Sequence, residues 1–587
     1  MPEEIPTPLP PVPQPQPGHA GGPPAGPPAG ARAGALLEDP SGMAHADRAS
    51  AQAAAGQAAQ TKAAQTVWAP LTQPTFRMLW LIWVAANTCM WMNDVAAAWL
   101  MTSLTTSPVL VALVQSASTL PVFLLGLPSG ALADILDRRR YFIVTQFWVA
   151  AVAVVLCLVV LSGYMTPYLL LALTFANGIG LAMRWPVFSA LIPELVSKPQ
   201  LPSAMALNAV AMNASRIIGP LVAGAIIASL GSAWVFVLNA TLSVISGMVL
   251  IRWKRQHTDS PLGRERLPSA MRVGVQFVRE SPRMRAVLLR TVCFFFQSTA
   301  IMALMPLVAQ RLHVGDEGGA NTFTLLLASM GAGAIIGATL LPRLRQALPR
   351  EKLIITGVSV QALATITVAL APHLAVAVAA MLLAGMALIS TANTLGVAAQ
   401  MSLPNWVRAR GMSIYQMSIM GGTALGAALW GQVASITTVS TSLIVAAVSG
   451  VVAMGLVQRL STDRQIEEDL SPSQAMKAPE ATMAPEAGRV VVTIEYIIQP
   501  SRTQEFRQLM QESRRSRMRQ GARGWSLLHS MSQPERFVEQ IIDESWTEHL
   551  RRFDRVTAYD VSLRDRKLAF HVGEGPPRVT RYFAETP

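Results

Sequence analysis

The chain has 587 residues, 51% of them hydrophobic and only 14% charged, with a mean hydropathy of +0.38. That balance excludes an ordinary soluble enzyme and describes a membrane protein with soluble ends. The formal charge of +13 would suit a nucleic-acid partner, but Lys and Arg fall mainly in short turns between apolar runs and in the C-terminal part, so membrane topology is the better account and no nucleic acid is expected.

Residues 1–70 are rich in Pro, Ala and Gly, as in PTPLPPVPQPQP and GGPPAGPPAGA, and contain no apolar run able to bury a core. A disordered tail is expected there. It lacks the charged start, continuous apolar stretch and small-residue cleavage site of a secretory signal, so insertion is expected to begin at the first span, Phe76 to Met101.

From 76 to 460 there are twelve mainly apolar runs, beginning near 76, 108, 141, 168, 204, 233, 286, 321, 352, 374, 410 and 440. Each reaches roughly 20 residues, the length needed to cross a hydrocarbon core about 30 Å thick. A weak repeat runs through them. Gly130, Arg138 and Gly178 recur 207 residues later as Gly337, Arg345 and Gly385; Met205, Gly219 and Gly224 recur as Met412, Gly426 and Gly431. Pro74 and Arg77 match Pro282 and Arg285 at a shift of 208. The expected fold is therefore an all-α polytopic bundle of twelve transmembrane helices in two six-helix repeats, with halves at 71–255 and 285–460.

The turns differ sharply in charge. One set holds Arg138 to Arg140, Lys198, the run from Arg252 to Arg285, Arg343 to Lys352, Arg408, Arg410 and Arg459. The opposite set, TSLTTSP, SGYMTP, GSA, APH and TTVST, has no Lys or Arg, and only Arg311 breaks the pattern. Both termini are then expected on the cytoplasmic side. Cys89, Cys157 and Cys293 all lie within apolar runs and read as packing residues.

The central loop, 256–284, separates the halves. Within it Met271, Val275 and Val278 share a helical face opposite Arg272, Gln276 and Arg279, which fits either an amphipathic segment on the inner membrane surface or a short helix packed under the bundle. Residues 461–488 read as a linker marked by Pro472, Pro479 and Pro485. Beyond it, 489–587 reads as a cytoplasmic domain. Strands are expected at Arg489–Ile498, Trp525–Met531, Phe537–Asp543 and Arg578–Phe583, with helices at Thr503–Arg519 and Trp546–Arg555. This βαββαβ order is the ferredoxin-like α+β pattern.

Between the second and third spans, Gly130, Asp134, Arg138, Arg139 and Arg140 join a helix glycine, an acid one turn later and a cationic turn. Here the chain resembles the major facilitator superfamily, whose signature at this point is a Gly, an Asp four residues on and paired basic residues. The resemblance implies a conformational latch at Gly130, Asp134, Arg138 and Arg139 that closes the cytoplasmic side in one state; topology-setting positive charge beside a solvated Asp is the competing account. Ile135 and Asp137 depart from the usual signature, and Leu341 replaces the acid in the second half.

The fifth span carries Arg216-Ile-Ile-Gly219-Pro220-Leu-Val-Ala223-Gly224, similar to the glycine-proline motif of major facilitator exporters. Pro220 removes a helix hydrogen bond, while Gly219 and Gly224 permit close helix approach, giving either a working kink or static packing. With WMNDVAAAWL and NASRIIGP, the core resembles the branch that includes the bacterial enterobactin exporter. That resemblance implies outward transport of siderophores, drugs or other small amphipathic metabolites across the bacterial inner membrane.

Two intramembrane charges stand out because ionisable groups in hydrocarbon are costly unless paired or facing water. Asp94 lies in the first span and Arg216 near the middle of the fifth. They are the candidates for proton coupling or substrate contact, and the alternative is a structural pair or a rim carboxylate. Arg184 and Arg290 lie nearer the cytoplasmic ends, where long side chains snorkel. No GxxxxGK[ST] loop occurs, so no nucleotide cofactor is expected, no metal site is indicated, and a proton gradient is the expected energy source.

The C-terminal pattern resembles the dimeric α/β barrels of the antibiotic-biosynthesis-monooxygenase type, which implies a homodimer through this domain. Trp525, His529, Trp546 and His549 are possible pocket residues, and a structural role is the simpler reading. The run Arg514 to Arg519 closes a helix, solvated or touching anionic lipid. A membrane-tethered enzyme or sensor acting through this domain is the alternative to a transporter, which needs no catalytic residue.

Overall fold

The computed structural model describes residues 68–197, 200–252, 267–313, 319–404, 406–461, 468–473, 475–476 and 488–584. The tail through residue 67, Lys198, the loop stretch 253–266 and most of the linker lie outside the described residues, as do the side chains of Asp134 and Arg138 and the surroundings of Gly130.

Twelve long helices are described, together with a shorter one. They are α1 (Pro74–Leu104), α2 (Pro108–Ile135), α3 (Arg138–Leu161), α4 (Pro167–Leu195), α5 (Leu201–Leu230) and α6 (Ser232–Arg252), the short α7 (Leu267–Glu280), then α8 (Pro282–Arg311), α9 (Ala320–Ala347), α10 (Arg350–Leu370), α11 (Leu374–Met401), α12 (Arg408–Ile436) and α13 (Val439–Ser461). Ten of them, all but α1, α4 and α7, are long and apolar enough to cross a membrane. The chain is a multi-pass membrane protein. Proline at the first helical position starts α1, α2, α4 and α8, where its missing N–H costs nothing. Asp137, the departure from the expected motif, is the N-cap of α3 and accepts from the Arg140 amide.

The repeated glycines sit at corresponding crossings. A Cβ on Gly178 of α4 would lie 2.6 Å from the Ser118 carbonyl oxygen of α2, and one on Gly385 of α11 would lie 1.9 Å from the Met330 carbonyl oxygen of α9. Gly219 of α5 meets Trp91 of α1, and Gly426 of α12 meets Phe296 of α8. Gly224 of α5 meets Thr324 of α9, and Gly431 of α12 meets Ala112 of α2. Where a side chain would drive into a neighbour's backbone, only glycine permits the approach, and membrane helices associate through such contacts.

Arg311, the exception in the charge pattern, is tied down: its guanidinium donates to the carbonyls of Val368 and Ala369 and to Ser440. These contacts close the ends of α8, α10 and α13, so the residue has a structural reason to break the topology rule.

The C-terminal part builds β1 (Arg489–Ile497), α14 (Thr503–Arg519), β2 (Gly524–His529), β3 (Arg536–Asp543), α15 (Trp546–Asp554), α16 (Ala558–Leu568) and β4 (Arg578–Ala584). The four strands form one sheet in the order β2-β3-β1-β4, every neighbouring pair antiparallel. The helix α16, capped by a Thr557–Asp560 box, is an addition to the sequence expectation.

This sheet unit docks on α7. The buried stripe of α7 is Val273, Phe277 and Val278, whereas Val275 is exposed, so the apolar face differs from the one expected and the helix packs under the bundle. Its polar residues bind the C-terminal unit. Arg272 donates to Glu544 at 2.8 Å, Ser269 to the same carboxylate at 3.1 Å, and Gln276 to the Ala522 carbonyl at 2.7 Å. Trp406, in the α11–α12 turn, lies edge-on to Phe277 on one side and under the Arg555 guanidinium on the other. Within the linker, Glu468 pairs with Arg519 and Pro472 bridges to Thr557, so this stretch lies along the C-terminal unit.

Candidate transport site

Asp94 and Arg216 do not pair with each other among the described residues. Gly219 brings α5 against α1 at Trp91 and Thr88, one turn before Asp94. Arg216, one turn before Gly219, places its guanidinium carbon 5.5 Å from the centre of the Trp91 ring and lies in the field of Tyr415 on α12. No ion pair joins it to Asp94 among the described residues. Asp94 lies beside Ser118 of α2, and its Oδ1 is buried with no hydrogen-bond partner among the described residues. A carboxylate left so is a site waiting for a proton or a donor.

A second group of polar residues links α1, α3, α4 and α6. Asn239 of α6 donates to Asn93 at 3.2 Å and accepts from Ser243 at 3.3 Å, and Gln146 of α3 donates to the Ser243 carbonyl at 3.1 Å. Arg184 of α4 reaches Gln146 and the Ala86 carbonyl, each at 3.4 Å, above the Trp83 ring that stacks on Phe188. Arg184 is 3% exposed, which overturns the expectation of a snorkelling side chain. Arg290 pairs with Glu351 at 3.8 Å. Sequence reasoning overlooked Gln146, Asn239 and Ser243. The i,i+4 spacing of Asn239 and Ser243 in an apolar span was the available signal.

Of the latch residues, Arg139 donates to the Ile251 carbonyl at 2.8 Å, at the end of α6. Of the kink motif, Gly219 meets Trp91 of α1, Pro220 is buried, and Thr324 of α9 donates to the Gly224 carbonyl at 2.7 Å. The motif therefore lies on a seam between α1–α6 and α8–α13, touching α1 and α9. On the other seam Ser116 of α2 donates to the Ala424 carbonyl of α12 at 2.7 Å.

In the C-terminal unit Trp546 lies 5.2 Å from His549, ring centre to ring centre, and packs with Trp525 on one buried cluster, while His529 stands apart from them. His549 is buried and bonded to Asp543 at 2.7 Å and to Arg581 at 3.3 Å; His529 stacks on Phe537; the Trp525 indole donates to Glu539 at 3.0 Å. The Arg514 to Arg519 run is divided: Arg517 approaches buried Glu539 at 3.7 Å and Arg519 binds Glu468 and covers Tyr559.

A family model described as transmembrane secretion effector matches residues 65–587. The chain belongs to that family of major facilitator transporters. It is 21% identical over 254 residues to the staphyloferrin A transporter of Staphylococcus aureus, covering 43% of this chain and 63% of that protein. It is 25% identical over 256 residues to macrolide efflux protein A of Streptococcus pyogenes, covering 42% and 61%. The aligned part thus spans less than two-thirds of either relative. Among solved structures, a bacterial homolog of the human lysosomal transporter Spinster, inward-facing and unoccupied, superposes with a TM-score of 0.52 at 15% identity, covering 66% of this chain and 95% of that one. A nucleoside transporter gives 0.54 at 12% identity, covering 66% and 99%. These likenesses establish the transporter fold.

Proposed function

We propose that this transporter is a proton-coupled exporter of siderophores, drugs or other small amphipathic metabolites, working by alternating access in the bacterial inner membrane. Twelve spans in two six-helix repeats, with both termini cytoplasmic, complete the reading. The relatives named for staphyloferrin A and for macrolide efflux support the cargo class. The observation that carries the coupling is the unpartnered Asp94 Oδ1, buried beside Ser118 in the bundle. A carboxyl there takes up a proton from one side and gives it up on the other, while Arg216, held over Trp91, attracts the anionic part of a cargo. The latch at Gly130, Asp134, Arg138 and Arg139 would close the cytoplasmic side in one state.

The test is proton movement in proteoliposomes loaded with a panel of siderophores and lipophilic antibiotics. Substrate-driven proton flux should fall by about two orders of magnitude in Asp94→Asn, as for loss of an acid–base group. Unchanged flux in that variant would remove the residue from the mechanism.

A second reading concerns the C-terminal unit. The sheet order supports a ferredoxin-like domain, and its face opposite the helices carries Leu528 next to Val538 and a row of Ile542, Val491 and Tyr582, with Leu528 and Tyr582 half exposed. A second copy packing on this face would make a homodimer. Leu528→Arg with Tyr582→Arg should convert a dimer into a monomer in light scattering of the detergent-solubilised protein, and a wild type that is already monomeric would end the idea.

A further inference from the structure

The 207-residue repeat makes the joint of α8, α10 and α13 the counterpart of the joint of α1, α3 and α6. In the first half that joint is closed by direct hydrogen bonds, Gln146 to the Ser243 carbonyl and Asn239 to Asn93. In the second half Arg311 ties the three helix ends and Ser449 of α13 bonds Gln297 of α8, but the amide that α10 sends into the joint finds no partner among the described residues. Gln361 of α10 is 4% exposed, and both its Oε1 and its Nε2 lack a hydrogen-bond partner among the described residues. They belong to the lining of a cavity of about 20 Å³ between Gln297 and Ser298 of α8, Gln361 of α10, and Gly450 and Met454 of α13. A Cβ on Gly450 would lie 3.1 Å from Gln297, so glycine at that position leaves room for the amide beside the cavity. Gln297 accepts from Ser449 through Oε1 at 3.3 Å, and its amide nitrogen has no acceptor among the described residues.

An amide with both groups unsatisfied at membrane depth is costly. About 10–15 Å³ suffices for one water, which needs two to four polar partners. We infer that this cavity is a hydration site holding one buried water bound by the Gln361 amide and the Gln297 side chain. The guest molecule then ties α10 to α8, whereas in the first half α3 bonds α6 and α6 bonds α1 directly. The inference is independent of cargo and of proton coupling, because it concerns the rear of the half and not Asp94 or Arg216.

Radiolytic hydroxyl footprinting of the full-length protein in detergent tests it, because a bound water yields radicals that label side chains bulk solvent cannot reach. Met454 is 1% exposed and should acquire oxygen readily, whereas Met305, equally buried in an apolar cluster, should not. In Gln361→Leu, labelling of Met454 should fall about fivefold while fully exposed Met531 is unchanged, since the emptied polar site no longer retains water. Gln297→Leu should give the same fall and serves if the first variant does not fold. The melting midpoint provides a second, signed readout. A hydrated amide makes Gln361→Leu destabilising, whereas a dry, unsatisfied amide makes it stabilising. Met454 as inert as Met305, equal labelling in wild type and variants, or a raised midpoint would overturn the site.

Discussion

Glu539 shows how a single residue organises the C-terminal unit. It lies on β3 with no exposure and accepts from Ser513 at 2.8 Å, Trp525 at 3.0 Å, Lys567 at 3.1 Å and Tyr496 at 3.3 Å. Burial pushes its carboxyl up, but the Lys567 ammonium and the Arg517 guanidinium, with the Trp525 and Ser513 bonds, outweigh burial and hold it well below the ordinary carboxylate range. Lys567 moves the other way from a simple pair: burial pulls it down to about 8 against the attraction of Glu539, because it has fewer compensating partners and also feels Arg517. A carboxyl with a depressed folded pKa contributes stability that is full above its ordinary value of 4.5 and is lost as pH falls through the lower folded value. The wild-type unit should therefore lose stability below pH 4.5. Glu539→Gln should be destabilised at neutral pH by about 3–5 kcal/mol, since Lys567 is left buried without its counter-charge, and should show a shallower acid dependence. Thermal melts of the full chain across about pH 3 to 7 decide it; a parallel pH dependence in the variant would show that Glu539 is not the group responsible. None of this was legible beforehand. Glu539 alternates with apolar neighbours on a strand, and only the packing of α14 and α16 over it reveals its partners.

At the scale of elements, the helices were largely readable because membrane helices must satisfy every backbone group internally and so announce themselves as long apolar runs. The repeat was readable for a related reason: glycines at crossings cannot drift without a clash. Gly385→Ala would set its Cβ 1.9 Å from a backbone oxygen of α9, and backbone cannot give way as a flexible side chain can. That variant should lose about 1–3 kcal/mol, or fail to accumulate, while Gly455→Ala, which meets nothing within 4 Å, should melt like the wild type. Equal melting of the two would mean that α9 and α11 do not cross there. The amphipathic face of α7 was misassigned for a complementary reason. Its periodicity admits two stripes, and the partners that select Val273 and Phe277, the Gly521 backbone and the Trp406 ring, lie far away along the chain. Arg184 was misplaced because a cation near a helix end reads the same whether it snorkels or finds Gln146 and a carbonyl inside.

At the scale of the whole molecule, the seam between α7 and the C-terminal unit joins the helix that follows α1–α6 and precedes α8–α13 to a sheet unit that touches the α11–α12 turn. In the proposed alternating access α8–α13 move against α1–α6, and a unit fastened to α7 and to Trp406 would resist that movement or follow it. Glu544 is the fastening. Burial raises its carboxyl, yet hydrogen bonds from Arg272 and Ser269 and the charges of Arg272 and Arg523 hold it below the ordinary value of 4.5, so the contact is strongest above that pH and weakens as acidification protonates it. The seam also carries groups that water would satisfy if it opened: Gln520, 3% exposed, has both amide atoms unpartnered among the described residues, as has the Trp406 indole N–H. Such groups lower the cost of separation. Reversing one charge, Glu544→Arg, should open the seam and raise deuterium exchange in α7 by about tenfold, the loss expected for about 1.4 kcal/mol of local stability. Adding Arg272→Glu should recover part of that protection, because the pair is restored with opposite polarity. Recovery should stop short of wild type, since Arg523 then faces a like charge where its acidic partner stood. Transport measured in the same variants then separates two roles. Faster flux on opening makes the C-terminal unit a brake on alternating access, unchanged flux makes it a passenger, and α7 that exchanges at the wild-type rate in Glu544→Arg would show that Glu544 does not hold the seam.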